Sequence, residues 1–266
     1  MLGTLRLVLR SLRLVLWLTV GALAGLVVSL LALRRGGATL QLRQRLMRAW
    51  LAGLVACLPF RVRVHGQRPA EPVLWVSNHV SWCDIALLGA LQPMSFLSKA
   101  EVRQWPLAGW LAVQAGTLFI RRGAGDSADL SQQIRRYLRQ QRPLLLFPEG
   151  TTTDGRGVRA FHGRLLASVL ETRTPVQPVA LLYRRDGQPD DVAPFIGDDE
   201  LLGHLLRLLR APTSQVEIHL LPLIYPQPDE NRSQLARRAQ QAIGAQVISP
   251  ASSGADLGAA FDPQQA

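Results

Sequence analysis

The stretch VLWVSNHVSWCDIALLGAL, residues 73–91, sets the fold class. Its first part, VLWVSN (73–78), is a continuous apolar run of the kind that fills a strand buried on both faces. Its last part, IALLGAL (85–91), reads as a helix. Between them stand Asn78, His79, Ser81 and Asp84. Ser81 and Asp84 have the S-x-x-D spacing of a capping box, which starts a helix. Buried strand, polar turn and helix form the unit from which α/β sheets are built.

The same texture continues on both sides. FRVRVHG (60–66) alternates with period two, as a half-buried strand does. MSFLS (94–98), GTLFI (116–120), PLLLFP (143–148), VQPVALLY (176–183) and VEIHLLPL (216–223) read as further strands. Helices fill the gaps at about 105–114, 127–141, 163–172, 199–210 and 230–246. The alternation predicts an α/β domain over residues 60–248, with a mainly parallel central sheet flanked by helices. The tail 249–266 is small and polar and is expected to be disordered. No internal repeat is present.

Upstream of residue 60 the chain is built differently. Residues 14–33 carry no charge, and 20 residues suffice to cross a hydrocarbon core about 30 Å thick. A signal peptide cut after ALA (22–24) is the rival reading, but the apolar run continues past it. AWLAGLVACLPF (49–60) is too short to span and is expected to lie at the lipid interface, with Arg43, Arg45 and Arg48 at the phosphates. Residues 1–59 are thus expected to form a membrane-anchoring helical segment. Five arginines in 34–48 against Arg6, Arg10 and Arg13 lead us to expect the α/β domain on the cytoplasmic side, at the inner membrane.

The 266 residues carry a formal charge of +11 and are 48% hydrophobic. Lys99 is the only lysine, a skew that reflects coding bias more than function. The positive charge favours anionic partners, phospholipid head groups first among them. Cys57 and Cys83 lack metal-ligand spacing and sit among apolar residues, so they read as buried free thiols, and no metal is expected.

In wound sheets, functional groups collect beyond the strand C-termini. Asn78, His79, Ser81 and Asp84 follow one apolar run, and Lys99 follows the next. Arg121 and Arg122 follow GTLFI; Glu149, Gly150 and three threonines follow PLLLFP. Each alone is the ordinary polar end of a strand. On one sheet edge they supply a base, a carboxylate to orient it and cations for an anionic substrate.

NHVSWCD (78–84), GTLFIRR (116–122), FPEGT (147–151) and TPVQPVAL (174–181), in this order, resemble the glycerolipid acyltransferase family typified by bacterial 1-acylglycerol-3-phosphate acyltransferase. The resemblance covers roughly residues 60–225. It implies transfer of an acyl group from acyl-CoA or acyl carrier protein, as co-substrate, to a lipid hydroxyl, with no cofactor. His79 matches the family's general base and Asp84 the carboxylate that orients it. Lys99, Arg122, Glu149, Gly150 and Thr151 match acceptor-binding positions, with a backbone anion nest around Gly150 and Thr151. The implied partners are a membrane lipid acceptor and the bilayer.

One position departs from the pattern. Many members have arginine where Thr152 stands, and Arg156 or Arg159 is a candidate replacement. The resemblance puts lysophosphatidic acid first as acceptor, giving phosphatidic acid. The lost cation leaves a lyso-ornithine lipid, which has no phosphate, as the alternative. A lipid-binding protein without catalysis has no need of His79, Asp84 and Glu149 together. Nucleic acid is not expected as a partner, since only the charge suggests it.

Overall fold

A computed structural model describes residues 1–34, 40–104, 109, 113, 117–120 and 127–248. The tail 249–266, Arg121, Arg122 and most of the helix expected at 105–114 lie outside the described residues. In chain order the elements are α1 (Leu2–Arg34), α2 (Leu40–Cys57), β1 (Phe60–His65), β2 (Leu74–Ser77), α3 (Cys83–Leu91), β3 (Ser95–Lys99) and β4 (Leu118–Ile120). Then follow α4 (Ser127–Arg139), β5 (Leu144–Leu146), α5 (Ala167–Thr172), β6 (Val176–Arg185), β7 (Gln188–Pro189), α6 (Leu201–Arg210), β8 (Ser214–Leu220) and α7 (Arg232–Ile248).

The strands form one sheet in the order β1-β8-β6-β2-β5-β3-β4, with β7 folded back onto β6. From β6 to β4 every neighbouring pair is parallel. β8 runs antiparallel to β6, and β1 runs parallel to β8. The expected mainly parallel sheet is therefore present, with two reversed strands at one side. No residue pattern announces that reversal, because a buried strand reads alike in either direction. β2 lies mid-sheet, and Leu74, Trp75 and Val76 are fully buried as the unbroken apolar run requires. Helices cover both faces. α2, α3 and α6 pack on one side through Leu51, Val55, Leu87, Leu88 and Leu208. α4, α5 and α7 pack on the other through Ile134, Val169, Leu235 and Ile243.

The N-terminal helices differ from the expectation. α2 is not confined to the lipid interface: Leu51, Ala52, Val55 and Cys57 are buried in the core beside α3, and Gln44 donates to the Ser95 hydroxyl at 2.9 Å. The apolar run 49–60 fills a protein core because α3 presents an apolar surface to it, which its own sequence does not disclose. α1 begins at Leu2, well before the charge-free run. Its Arg10 guanidinium donates to the Leu209 and Ala211 carbonyls at 2.9 and 2.7 Å, satisfying backbone acceptors at the end of α6. From Leu2 to Val28 α1 is long and apolar enough to cross a membrane, and Leu5, Leu9, Leu12, Leu16 and Leu23 face outward.

Two glycine sockets join α1 to α2. The Trp17 ring lies on Gly53, where an added Cβ would come within 2.0 Å of Cζ2. The Trp50 ring lies on Gly21, where a Cβ would come within 2.0 Å of Nε1. The Trp17 indole N–H donates to the Trp50 carbonyl at 3.0 Å. Mid-helix glycine costs about 0.5–1 kcal/mol against alanine, and the close approach of the two rings explains its use. Gly53→Ala, which would raise intrinsic helix propensity, is expected to destabilise the protein by about 1–3 kcal/mol through overpacking. A thermal melt in detergent checks this; an unchanged or raised midpoint contradicts it.

Candidate active site

β2 and β5 are adjacent and parallel, so the turns beyond Ser77 and Leu146 meet on one edge. Asn78 joins the first turn to β6. Its side-chain amide donates to the Leu181 carbonyl at 2.9 Å, and its amide oxygen accepts the Leu181 N–H at 2.8 Å. His79 follows, its ring stacked on Phe147 with centroids 3.9 Å apart.

Nδ1 of His79 stands 2.8 Å from Oδ2 of Asp84. The same carboxylate oxygen accepts the N–H groups of Val80 at 2.7 Å and Ser81 at 3.0 Å. Oδ1 accepts the Tyr183 hydroxyl. Asp84 is fully buried, with four groups directed at it. A buried carboxylate survives only with such pairing. It also lies in the first turn of α3, where the helix dipole favours negative charge. Burial and Asp84 hold the Tyr183 hydroxyl well above its ordinary pKa, so it remains a donor. Because Asp84 only accepts, Nδ1 carries the ring proton and Nε2 is left as the basic atom.

The capping box is present by half. Asp84 reaches back to the Ser81 N–H, but Trp82 occupies the cap and no side chain bonds the helix end there. Ser81 does not cap α3 through its hydroxyl.

Glu149 points inward, with 4% of its surface exposed. Oε1 accepts the His79 N–H at 2.8 Å and Oε2 accepts the Arg159 N–H at 3.0 Å. Burial raises its pKa, and the two N–H groups offset part of the rise. Both carboxylate oxygens accept backbone N–H groups, so Glu149 ties the β5 turn to the β2 turn. The Gly150 N–H donates to the Phe147 carbonyl at 3.1 Å. Gly150 adopts φ 71°, which favours glycine. Thr151 is exposed in the loop beyond it.

Lys99 ends β3, two strands from β2 and about 10 Å away on the same edge. β4 ends at Ile120 on that edge, and Arg122 beyond it lies outside the described residues. Thr152, at the family's arginine position, donates its hydroxyl to the Phe195 carbonyl. Phe195 in turn donates its N–H to the Val80 carbonyl at 2.9 Å, so Thr152 braces the His79 turn from behind. The Arg156 guanidinium is paired with Asp191 at 2.9 Å on the surface, and Arg159 is exposed. Cys83 is fully buried, and burial pushes its thiol well up, which makes it a packing residue.

Sequence reading missed Tyr183, Phe147 and Phe195. Tyr183 ends the apolar run of β6, and that polar tip on a buried strand was the available signal. It missed His204 as well. The Trp82 indole N–H donates to Nδ1 of His204 at 3.0 Å, and Nε2 stands 3.1 Å from the Pro194 carbonyl. One acceptor and one donor role suit only the neutral ring, and burial lowers its pKa.

The acyltransferase family model matches residues 61–182. The lyso-ornithine lipid O-acyltransferase of Pseudomonas aeruginosa is 59% identical over 239 residues, covering 90% of this chain and 92% of that one. The 1-acyl-sn-glycerol-3-phosphate acyltransferase of Neisseria gonorrhoeae is 29% identical over 212 residues, covering 79% and 83%. The crystal structure of the 1-acyl-sn-glycerophosphate acyltransferase PlsC of Thermotoga maritima shares the fold, with a TM-score of 0.68 at 18% identity over 92% of this chain and 96% of that one. The chain belongs to the glycerolipid acyltransferase family and is a lysolipid acyltransferase.

Two expectations follow from the site. Glu149→Gln leaves an amide NH2 facing one of the two N–H groups, so it is expected to cost about 1–3 kcal/mol and to lower turnover; wild-type melting and activity would refute the brace. His204 binds a proton more weakly folded than unfolded, so its contribution is complete above about pH 6.5 and is lost as pH falls towards the folded value. His204→Gln, which keeps one acceptor and one donor, should flatten the fall in melting temperature between about pH 7 and pH 5. An unchanged pH profile contradicts this.

Proposed function

We propose that this chain transfers a fatty acyl group from an acyl thioester, acyl-CoA or acyl carrier protein, to a hydroxyl of lyso-ornithine lipid. The observation that carries the reading is the 59% identity, along nearly the whole of both chains, to a lyso-ornithine lipid O-acyltransferase. The inward bond of Thr152 agrees with it. A position that supplies a phosphate-binding cation in many relatives here supplies a brace, and a lyso-ornithine lipid has no phosphate to bind. Lysophosphatidic acid, the first acceptor on motif resemblance alone, becomes the second reading, supported by the weaker likeness to the Neisseria enzyme.

In this reading the acceptor hydroxyl approaches Nε2 of His79. Nε2 takes its proton as the oxygen attacks the thioester carbonyl, and the thiol leaves with the proton returned by the imidazolium. Asp84 holds the tautomer and stabilises the imidazolium. No serine intervenes, so the acyl group passes directly to the acceptor. Lys99 and Arg122 are proposed to meet the acceptor head group, with Thr151 at the mouth. The outward apolar face of α1 is proposed to sit in the bilayer. Exposed arginines add about 1 kcal/mol each of attraction to anionic lipid. The domain is proposed to face the cytoplasm at the inner membrane.

Purified protein offered both acceptors with one labelled donor is expected to acylate lyso-ornithine lipid at least about tenfold faster at equal concentration. Preference for lysophosphatidic acid would overturn the acceptor assignment. His79→Ala and Asp84→Asn are each expected to lower turnover by about 10²–10⁴; full activity in either removes that residue from the mechanism.

A further inference from the structure

A second cluster of ligating side chains lies on β1 and β8. The two strands are parallel, with His65 in register with His219. Glu217 is two residues before His219, so its side chain shares the same face. The imidazoles stack with centroids 4.4 Å apart and planes 10° from parallel. Oε2 of Glu217 lies 3.2 Å from Nε2 of His219. One ligand atom from each of the three lies within 4.8 Å of the others.

We propose that His65, Glu217 and His219 form a zinc site that fastens the edge strand β1 to β8, apart from the chemistry at His79. Four observations carry it. Nε2 of His65 is buried and has no hydrogen-bond partner among the described residues, a cost that an isolated histidine pair would leave unanswered. Oε2 of Glu217 and Nε2 of His219 already lie 3.2 Å apart as a hydrogen-bonded pair, and turning the stacked rings out of parallel would aim both imidazoles and that oxygen at one ion with bonds of about 2.0–2.1 Å. The carboxylate is oriented from outside, since the Gln215 side-chain amide donates to Oε1 of Glu217 at 3.0 Å, as outer partners of metal ligands do. The strand ends are held tightly: Gly66, next to His65, has φ 87°, and a Cβ there would come within 2.2 Å of the Leu220 carbonyl.

Two imidazoles and one carboxylate select zinc, or a similar borderline ion, over calcium or magnesium. All three residues are partly exposed, which leaves water for the fourth position. Zinc takes the place of the proton now shared between Nε2 of His219 and Glu217, and that ring moves its proton to Nδ1. Arg184 beside His219 and Arg63 opposite Glu217 oppose a cation, which points to micromolar rather than nanomolar affinity. The cysteine arithmetic of the sequence looked for thiolate sites and so expected no metal; the signals were Glu-x-His on one strand and a histidine ending another.

The test titrates zinc chloride into the purified full chain in detergent, by calorimetry and by thermal melt. One ion per chain, micromolar affinity and a raised melting temperature are expected. His65→Ala and His219→Ala should each weaken binding at least tenfold while acyl transfer continues, and His79→Ala should bind zinc as wild type does. Glu217→Gln, a milder change, should weaken binding without unfolding. Cobalt in the wild-type protein should give the intense visible bands of a four-coordinate site. Absence of binding, binding that survives loss of His65 and His219, loss of binding in His79→Ala, or six-coordinate cobalt spectra would each overturn the proposal.

Discussion

The Asp84 carboxylate is a fully buried charge, and the arrangement around it follows from the need to satisfy it. An ionised carboxylate left unpaired in the interior costs several kcal/mol. Asp84 avoids that cost with the Val80 and Ser81 N–H groups, the Tyr183 hydroxyl and the His79 ring. Three of these come from the turn itself, so the carboxylate folds that turn around itself. The fourth, from β6, ties the turn to the next strand. The histidine is therefore oriented by the same bonds that make the fold tolerable, and His79 gains a defined tautomer as a by-product.

Glu149 repeats the device one strand over. It too is buried, and it too satisfies backbone N–H groups from separate segments, His79 and Arg159. The chain thus uses two acids to hold the His79 turn, Asp84 through the ring and the Val80 and Ser81 N–H groups and Glu149 through the His79 N–H. Phe147 under the ring, Asn78 against β6 and Phe195 behind Val80 complete a shell that leaves the imidazole little freedom. Thr152 belongs to that shell as well. A residue that stood out in the motif as a missing cation has its own mechanical task in bracing the turn.

The N-terminal helices extend the same economy. α2 is shared between the core and α1, and α1 is shared between α2, α6 and its outward apolar face. The glycine and tryptophan pairs draw the helices close enough for indole to reach backbone carbonyl. Arg10, which a charge count would assign to lipid phosphates, bonds the end of α6. The outward apolar face of α1 is thereby joined to the domain that bears the histidine.

Much of this was legible without coordinates. Period-two and continuous apolar runs located every strand except β7 because side-chain burial in a sheet imprints directly on the chain. His79 and Asp84 were legible because their partnership is local, five residues apart across one turn. The short β7 hairpin at Asp186 and Gly187 was passed over, though the two left-handed residues there suit a tight turn. What the sequence by itself determined was the class of fold, the pairing of His79 with Asp84 and the family. Only the tertiary structure decided the reversed direction of β8 and β1, the inward role of Glu149, the Tyr183 bond, the burial of α2 and the meeting of His65 with His219. The reason is common to all five: each depends on which distant segment lies opposite, and a residue's own pattern records that it is buried or polar but not what it faces.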